Sequence, residues 1–249
     1  MASIATTAKL MPVTSVETWS RTLASTDGRD KLFRLIQYAC RLIRGFETGM
    51  NGRPITMIGQ RVAALEAALG TSRQMWRLFK WTNVWAKQYK TTNDGGVVLD
   101  VLGALSDLGL FLYYLFDNLT FVHKVGLVKG NVPTASQRAG KFWLLSTLAS
   151  LASAIYKLVL LEKNIRQMKQ SLTVSKDETV NSEAVVELDK MNRRKNILLS
   201  IAVKNLSDSV IAGNLARTNK LHPALTGVCG VISSIVGCYQ VWPRYESTG

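Results

Sequence analysis

The stretch FWLLSTLASLASAIYKLVLL, residues 142–161, contains one charged residue, Lys157, in 20 positions. A helix of this length is about 30 Å long, which matches the hydrocarbon thickness of a bilayer. The side chain of Lys157 is long enough to reach the headgroups from its place near one end. The stretch therefore predicts a transmembrane helix over 142–161, with a buried helix of a large soluble protein as the alternative.

A second run, LTGVCGVISSIVGCYQVW at 225–242, has no charged residue and ends in Trp242, a residue type typical of the membrane interface. It predicts a second transmembrane helix. Both runs carry small residues four positions apart, a spacing that lets helices approach closely in lipid, either within one chain or between copies. The small residues expected to pack helices in the membrane are Ser146, Ser150, Ser153, Gly230, Ser234 and Gly237.

The positive charge is concentrated before these runs. The chain of 249 residues carries 31 Lys and Arg against 17 Asp and Glu, a formal net charge of +14, yet 47% of its residues are hydrophobic. This apolar content excludes a disordered chain, and three cysteines are too few for a disulfide scaffold. Residues 1–90 hold 14 Lys and Arg against 5 Asp and Glu. Such a region needs an anionic partner, either a membrane surface or a nucleic acid.

The most informative basic segment is DKLFRLIQYACRLIRGF at 30–46, part of a helix predicted over 27–46. At 100° per residue, its apolar side chains fill one half of the helix and its charged side chains the other. The apolar half is expected to enter the membrane through Leu32, Phe33, Leu35, Ile36, Ala39, Leu42, Ile43 and Phe46. The core of a soluble helical bundle is the alternative place for this half.

The next basic segment, residues 72–87, interleaves tryptophans with cations, a pattern that suits a membrane interface or a single-stranded nucleic acid. No signature of a common RNA-binding module is present, so we predict anionic lipids and no nucleic acid as partners. A soluble RNA-binding protein stays a lesser alternative. Gly70 followed by Thr71 predicts that one helix ends and another begins here. The cations expected to contact lipid headgroups are Lys31, Arg34, Arg41, Arg44, Arg73, Arg77 and Lys80.

The chain as a whole predicts an all-α fold, a helical membrane protein with N-terminal amphipathic helices and two C-terminal transmembrane helices, since no segment alternates as a strand does. Asp100 and Asp107 form an acidic stripe on one apolar helix, so that helix is expected to be packed or interfacial. The predicted parts are a polar extension at 1–26, a basic amphipathic region at 27–90, the acidic-striped helix at 97–129, a transmembrane helix at 142–161, a charged helical hairpin and amphipathic helix at 162–224, a transmembrane helix at 225–242 and a short tail at 243–249.

Catalytic chemistry is not indicated. His123 and His222 are far apart in sequence, and neither has a motif partner. Phosphate-binding glycine loops and nucleophile elbows are absent, and the three cysteines lie on apolar helix faces. We therefore predict no enzyme activity, no cofactor and no metal site.

Three blocks of sequence resemble a known family. RDKLFRLIQYACRLIRG at 29–45 resembles the N-terminal signature of the peroxin-11 family, and SRQMWRLFKWTNVW at 72–85 is similar to its second conserved block. ISSIVGCYQVWP at 232–243 resembles the C-terminal span of its plant-type members. The similarity extends from about residue 27 to residue 243, and the order of three blocks makes it specific.

The resemblance implies a multi-pass protein of the peroxisomal membrane that promotes elongation and division of the organelle. It further implies that both termini face the cytosol, that the N-terminal amphipathic helix remodels the bilayer, and that the chain forms homo-oligomers and recruits the fission machinery. Some members have been proposed to form pores, so an oligomeric channel for small metabolites is the alternative function. In that case Asp100, Asp107 and Lys204 would line the aqueous path.

Overall fold

The computed structural model describes residues 10–48, 56–88, 96–174 and 178–244. Within these ranges the named elements are eight helices: α1 (Val16–Ala24), α2 (Thr26–Thr48), α3 (Met57–Trp76), α4 (Trp81–Gln88), α5 (Gly96–Lys124), α6 (Val132–Val174), α7 (Glu178–Leu215) and α8 (Pro223–Val241). The only strand-like pairing there is an isolated bridge between Leu10 and Arg244. The predicted all-α fold is confirmed.

Local sequence explains where several helices begin. The hydroxyl of Thr56 accepts a hydrogen bond from the backbone N–H of Gly59 at 3.1 Å and caps α3. The ring of His222 caps α8, and Pro223 takes the first helical position, where its missing N–H costs nothing. These caps satisfy donors that a helix N-terminus would otherwise leave unpaired.

The predicted break at Gly70 and Thr71 is wrong, because α3 continues to Trp76. Thr71 does not cap a new helix, since its hydroxyl donates back to the carbonyl of Ala67 at 3.0 Å. Gly70 instead provides space, because a Cβ there would meet the side-chain amide of Gln37. The glycine therefore marks a close approach of α2 rather than the end of a helix.

One compact unit contains the residues up to Leu78 together with those from Lys220 onward. In it, α2 packs between α3 and α8 and runs antiparallel to both. The predicted N-terminal extension contains α1, where the ring of Trp19 meets Trp242 edge-on at 5.4 Å. The indole of Trp242 also donates to the carbonyl of Met11 at 3.0 Å. Both ends of the described chain therefore lie at the end of α8.

The second unit contains residues from Phe79 to Asn219. Its helices α5, α6 and α7 pack in sequence order, with α6 antiparallel to each neighbour. The short helix α4 packs on α5, where Trp81 meets Phe111 edge-on at 5.9 Å. The predicted charged hairpin at 162–224 is thus the continuation of α6 followed by the whole of α7.

Three helices in the described part of the chain, α5, α6 and α8, are long and apolar enough to cross a membrane. The predicted run at 142–161 lies inside α6, and the run at 225–242 follows α8 to its end at Val241, with Trp242 as the C-cap. The third helix, α5, was expected to be packed or interfacial. It packs on α6 and α4, and it also leaves large apolar side chains exposed, including Val101 and Leu108.

Candidate functional site

The candidate site is the face that α2 presents to α3 and α8. Its buried positions include Asp30, Arg34 and Tyr38, which follow one another at four-residue intervals, and Gly45, seven residues further on. They belong to the polar half of the helix, the half that the sequence led us to place against water and headgroups. In the structure this polar half lies inside the unit and contacts the neighbouring helices.

An ion pair joins α2 to α3 at one end of this face. The Arg73 Nε donates to Asp30 Oδ1 at 2.9 Å, and another guanidinium nitrogen donates to Gln37 Oε1 at 2.7 Å. Both charged side chains are less than a tenth exposed. Because each ion has a partner and further hydrogen bonds, the pair avoids the large cost of a lone buried charge.

The charges around Asp30 set its protonation. Burial alone would raise the pKa of this carboxyl, but Arg73, Arg77 and Lys31 hold that pKa well below its usual range. The group is therefore a carboxylate at any physiological pH.

A second ionic cluster lies further along the same interface. The carboxylate of Glu66 on α3 accepts hydrogen bonds from Arg41 at 2.7 Å and Arg44 at 3.0 Å, both on α2. The Glu66 side chain is 8% exposed, whereas those of Arg41 and Arg44 are 24% and 26% exposed. One acid on α3 thus neutralises part of the positive charge of α2.

The ring of Tyr38 contacts two cations of α2, one of which, Arg41, also binds Glu66. The guanidinium of Arg34 lies 5.5 Å from its ring centroid, and that of Arg41 lies 5.1 Å from it. Cations over an aromatic face are attracted by the negative face of the ring. The same ring fills the space beside Gly230 of α8, where a Cβ would collide with it.

The apolar half of α2 is only partly covered by its neighbours. Ile36 is 46% exposed, Ile43 47% and Phe46 71%, while the other apolar residues of this half are at least partly covered. Phe33 is among the covered ones and meets Trp76 edge-on at 4.6 Å. The apolar half therefore keeps three large side chains exposed in this chain. An amphipathic helix with its polar half packed and its apolar half exposed is arranged for an apolar surrounding rather than for water.

The seven cations expected at lipid headgroups occupy different places. Arg34 and Arg73 are buried, and Arg41 and Arg44 share the carboxylate of Glu66. The other three also have protein contacts: Lys31 lies 3.9 Å from Asp30, Arg77 donates to the Arg73 carbonyl, and Lys80 lies 6.0 Å from the Tyr114 ring centroid. Headgroup contact stays a prediction for all seven, and the structure assigns Arg41, Arg44 and Arg73 a role in holding α2 and α3 together.

The small residues of α8 lie against α2. A Cβ on Gly230 would meet Tyr38, and one on Gly237 would approach the side chain of Lys31. Ser234 is fully buried, and its hydroxyl donates to the Gly230 carbonyl at 2.6 Å. These residues therefore pack helices within one chain, while packing between copies stays a prediction.

The small residues of α6 serve two neighbours. Ser146 Oγ lies 3.5 Å from Ser106 Oγ of α5, and Ser150 accepts a hydrogen bond from Asn205 of α7 at 2.8 Å. Ser153 is half-buried.

The three proposed channel residues lie in different surroundings: Asp100 is exposed, Asp107 is half-buried, and Lys204 pairs with Asp208 at 3.4 Å.

Our sequence reasoning missed Asp30, Gln37 and Glu66 as parts of the site. Glu66 carried a readable signal, because it is the only acid between residues 48 and 93, inside the apolar run VAALEAALG. A lone acid among apolar residues requires a partner when buried. The partner itself was not readable, because Arg41 and Arg44 belong to another helix.

Comparisons with known proteins extend over almost the whole chain. The family model described as "Peroxisomal biogenesis factor 11 (PEX11)" matches residues 16–242. The "Peroxisomal membrane protein 11 homolog" of Dictyostelium discoideum is 23% identical, with 92% of this chain and 95% of that protein covered. The human "Peroxisomal membrane protein 11A" is 26% identical, with 91% and 96% covered. "Peroxisomal membrane protein 11-1" of rice is 26% identical, with 89% of each chain covered. No solved structure matches the chain.

Proposed function

The chain belongs to the peroxisomal biogenesis factor 11 family of peroxisomal membrane proteins, and on that premise we propose that it elongates the peroxisomal membrane and so promotes division and proliferation of the organelle. The working element of this proposal is α2, whose apolar half lies among the acyl chains. The proposed partners are anionic lipids, further copies of the chain and the organelle fission machinery.

The observation that carries the proposal is the exposed apolar half of α2. Ile36, Ile43 and Phe46 are about half or more exposed, although each is a large apolar side chain. Transfer of such a side chain from water into lipid is favourable by about 1.5–3 kcal/mol when it is fully buried, so the exposed parts contribute about 1 kcal/mol or more each. Insertion therefore stabilises the orientation that the packed polar half imposes.

The link between α2 and α8 explains how insertion could shape a membrane. Because Gly230 and Gly237 bring α8 against α2, a candidate span anchors the inserted helix. Volume added unequally to the two leaflets by many anchored copies favours curvature, and curvature drives elongation. Since Leu10 pairs with Arg244, the proposal places both termini on one side, which we take to be the cytosolic side.

Full-length protein in proteoliposomes that contain anionic phospholipid tests the proposal. Ile36→Glu is expected to abolish tubulation, because it adds a charge to the half that enters the acyl chains. Gln60→Glu is the matched control, since it adds the same charge at an exposed polar position of α3 and is expected to leave tubulation unchanged. Tubulation that Ile36→Glu leaves intact would refute insertion of α2. In cells that lack their own family member, Gln60→Glu should produce long peroxisomes and Ile36→Glu should leave them short.

A channel is the second candidate function, and polar side chains inside the α5–α6–α7 group favour it. Ser106, Ser150 and Asn205 lie between three mostly apolar helices, and Asp208 is buried there. Conductance measured across planar bilayers with purified protein, compared with Asp107→Leu, tests this function. If the wild-type chain has no conductance, the channel function is excluded and the proposed role in membrane elongation still stands.

A further inference from the structure

We infer that α7 crosses the membrane beside α6, so that its outer face is a lipid surface and the chain has a span that its hydropathy conceals. The inference rests on the membrane placement of α5, α6 and α8 assumed in the proposed function. The segment concerned lies between Lys195 and Arg217, in the part expected from the sequence to be an amphipathic helix.

The length and outer face of this segment suit a bilayer. Residues 196–216 contain two charged residues, Lys204 and Asp208. At about 1.5 Å per residue the segment extends roughly 30 Å, the thickness of the hydrocarbon core. Its exposed large side chains are Ile197, Leu199, Val203, Leu206 and Leu215. These residues give α7 an apolar outer face from Ile197 to Leu206 and again at Leu215.

Four polar side chains in the middle of the segment are covered and have partners, whereas Asn196 at its start is exposed. Lys204 and Asp208 form an ion pair one turn apart at 3.4 Å, with the Asp208 side chain buried. Asn205 donates to Ser150 of α6 at 2.8 Å, and the Ser209 hydroxyl donates to the Asn205 carbonyl at 2.8 Å. Charged and polar residues in membrane helices are tolerated when they face protein and are paired. A mean hydropathy treats these residues as if they had no partners, and α7 is therefore not among the candidate spans selected by hydropathy.

The contacts of α7 follow α6 along the predicted span. Lys195 donates to Glu162 at 2.6 Å at one end, and Gln137 donates to the carbonyl of Ala216 at 3.2 Å at the other. The stretch of α6 between these contacts includes the apolar run 142–161. A helix that lies antiparallel to a span from end to end passes through the same layer of the membrane.

The path of the chain through the other unit leads to the same conclusion. Arg73, near the end of α3, pairs with Asp30, and the neighbouring Lys31 lies beside Gly237, near the end of α8. Residue 78 therefore follows at the end of α8 where Trp242 lies. The start of α8 is at the opposite end, where Ala224 meets Gly45.

If α8 crosses the membrane, residues 78 and 220 are on opposite sides, and the segment between them crosses an odd number of times. Helices α5 and α6 account for two crossings and return the chain to its starting side. Helix α4 has 8 residues, about 12 Å, and is too short to cross. The third crossing is therefore made by α7.

Cysteine accessibility in the full-length protein tests the inference. Lys129→Cys, Lys190→Cys and Lys220→Cys place single thiols at exposed positions after α5, before the α7 segment and after it. In sealed peroxisomes a membrane-impermeant maleimide should label either Lys190→Cys only, or Lys129→Cys and Lys220→Cys only. Permeabilisation should make the variants that were protected in sealed peroxisomes accessible to the reagent. The unsubstituted chain gives the background of the three native cysteines. Equal labelling of Lys190→Cys and Lys220→Cys in sealed organelles would overturn the inference.

A charge on the outer face provides a second measurement. Leu206→Lys, combined with each reporter cysteine, should lower the fraction of molecules with residues 190 and 220 on opposite sides at least several-fold. Val186→Lys is the matched control, because Val186 is equally exposed on the part of α7 outside the segment, and it should change nothing. Equal effects of the two substitutions would overturn the inference. Same-side labelling with Ile36-dependent tubulation intact would refute the α7 span and leave the proposed function standing.

Discussion

Replacing Glu66 by glutamine removes the one negative charge that Arg41 and Arg44 share. Glu66→Gln keeps the shape of the side chain and its ability to accept one hydrogen bond, so packing is preserved. The carboxylate currently accepts hydrogen bonds at 2.7 and 3.0 Å, both from guanidinium groups. After the substitution, two cations on α2 face a neutral amide, and the contact between α2 and α3 is weakened.

The magnitude follows from the exposure of the three side chains. Breaking a fully buried ion pair by removing one partner costs about 3–5 kcal/mol. Arg41 and Arg44 are about a quarter exposed and therefore recover some hydration, and glutamine retains one hydrogen bond. We expect a loss of about 2–3 kcal/mol for the α2–α3 contact, which corresponds to a change of roughly 30- to 150-fold in its opening equilibrium.

Amide hydrogen exchange of full-length protein in lipid nanodiscs measures this loss locally, which suits a chain whose two units need not unfold together. Exchange of α3 amides should accelerate by that factor. Glu17→Gln breaks a pair with Arg21 in which both side chains are about half exposed, and should change exchange less than about threefold. The reasoning would be refuted if Glu66→Gln left the exchange rate of α3 amides unchanged, or if Glu66→Gln and Glu17→Gln changed exchange to the same extent. Replacing Arg41, Arg44 and Glu66 together by leucine should restore most of the protection, because no unpaired charge remains.

Three further predictions concern packing, pH and membrane attachment. Gly230→Ala should destabilise the α2–α8 contact by about 1–3 kcal/mol by overpacking against Tyr38, seen as faster exchange of α8 amides, whereas Gly103→Ala, which has open space, should not. Because its folded pKa is depressed, Asp30 contributes stability that is fully present above its unfolded pKa of about 3.9 and is lost as the pH falls toward the folded value. Protection of α2, corrected for intrinsic exchange, should therefore be constant from about pH 8 to about pH 4.5 and fall below that range, and Asp30→Asn should remove the fall. The protein should resist extraction from peroxisomes by alkaline carbonate and by high salt, whereas a soluble nucleic-acid-binding protein would be released.

Much of the fold could be predicted because helix formation and hydrophobicity are properties of neighbouring residues. The apolar run at 142–161 lies inside α6, the run at 225–242 matches α8 to within two residues at each end, and the two halves of α2 were visible in its periodicity. Other features depended on contacts between distant residues. Gly70 inside α3 is explained by the close approach of Gln37 from α2, and the partner of Asn205 in α7 is Ser150 of α6.

The sequence by itself determined that α2 has an apolar half and a cationic half, since a period of 3.6 residues sorts side chains by their position alone. Which half faces inward was decided by the tertiary structure. Glu66 and Asp30 pair with arginines across the α2–α3 contact, and glycines let α8 reach Tyr38. An amphipathic helix can bury either half: water drives its apolar half inward, while partners that neutralise its charges allow the apolar half to face lipid.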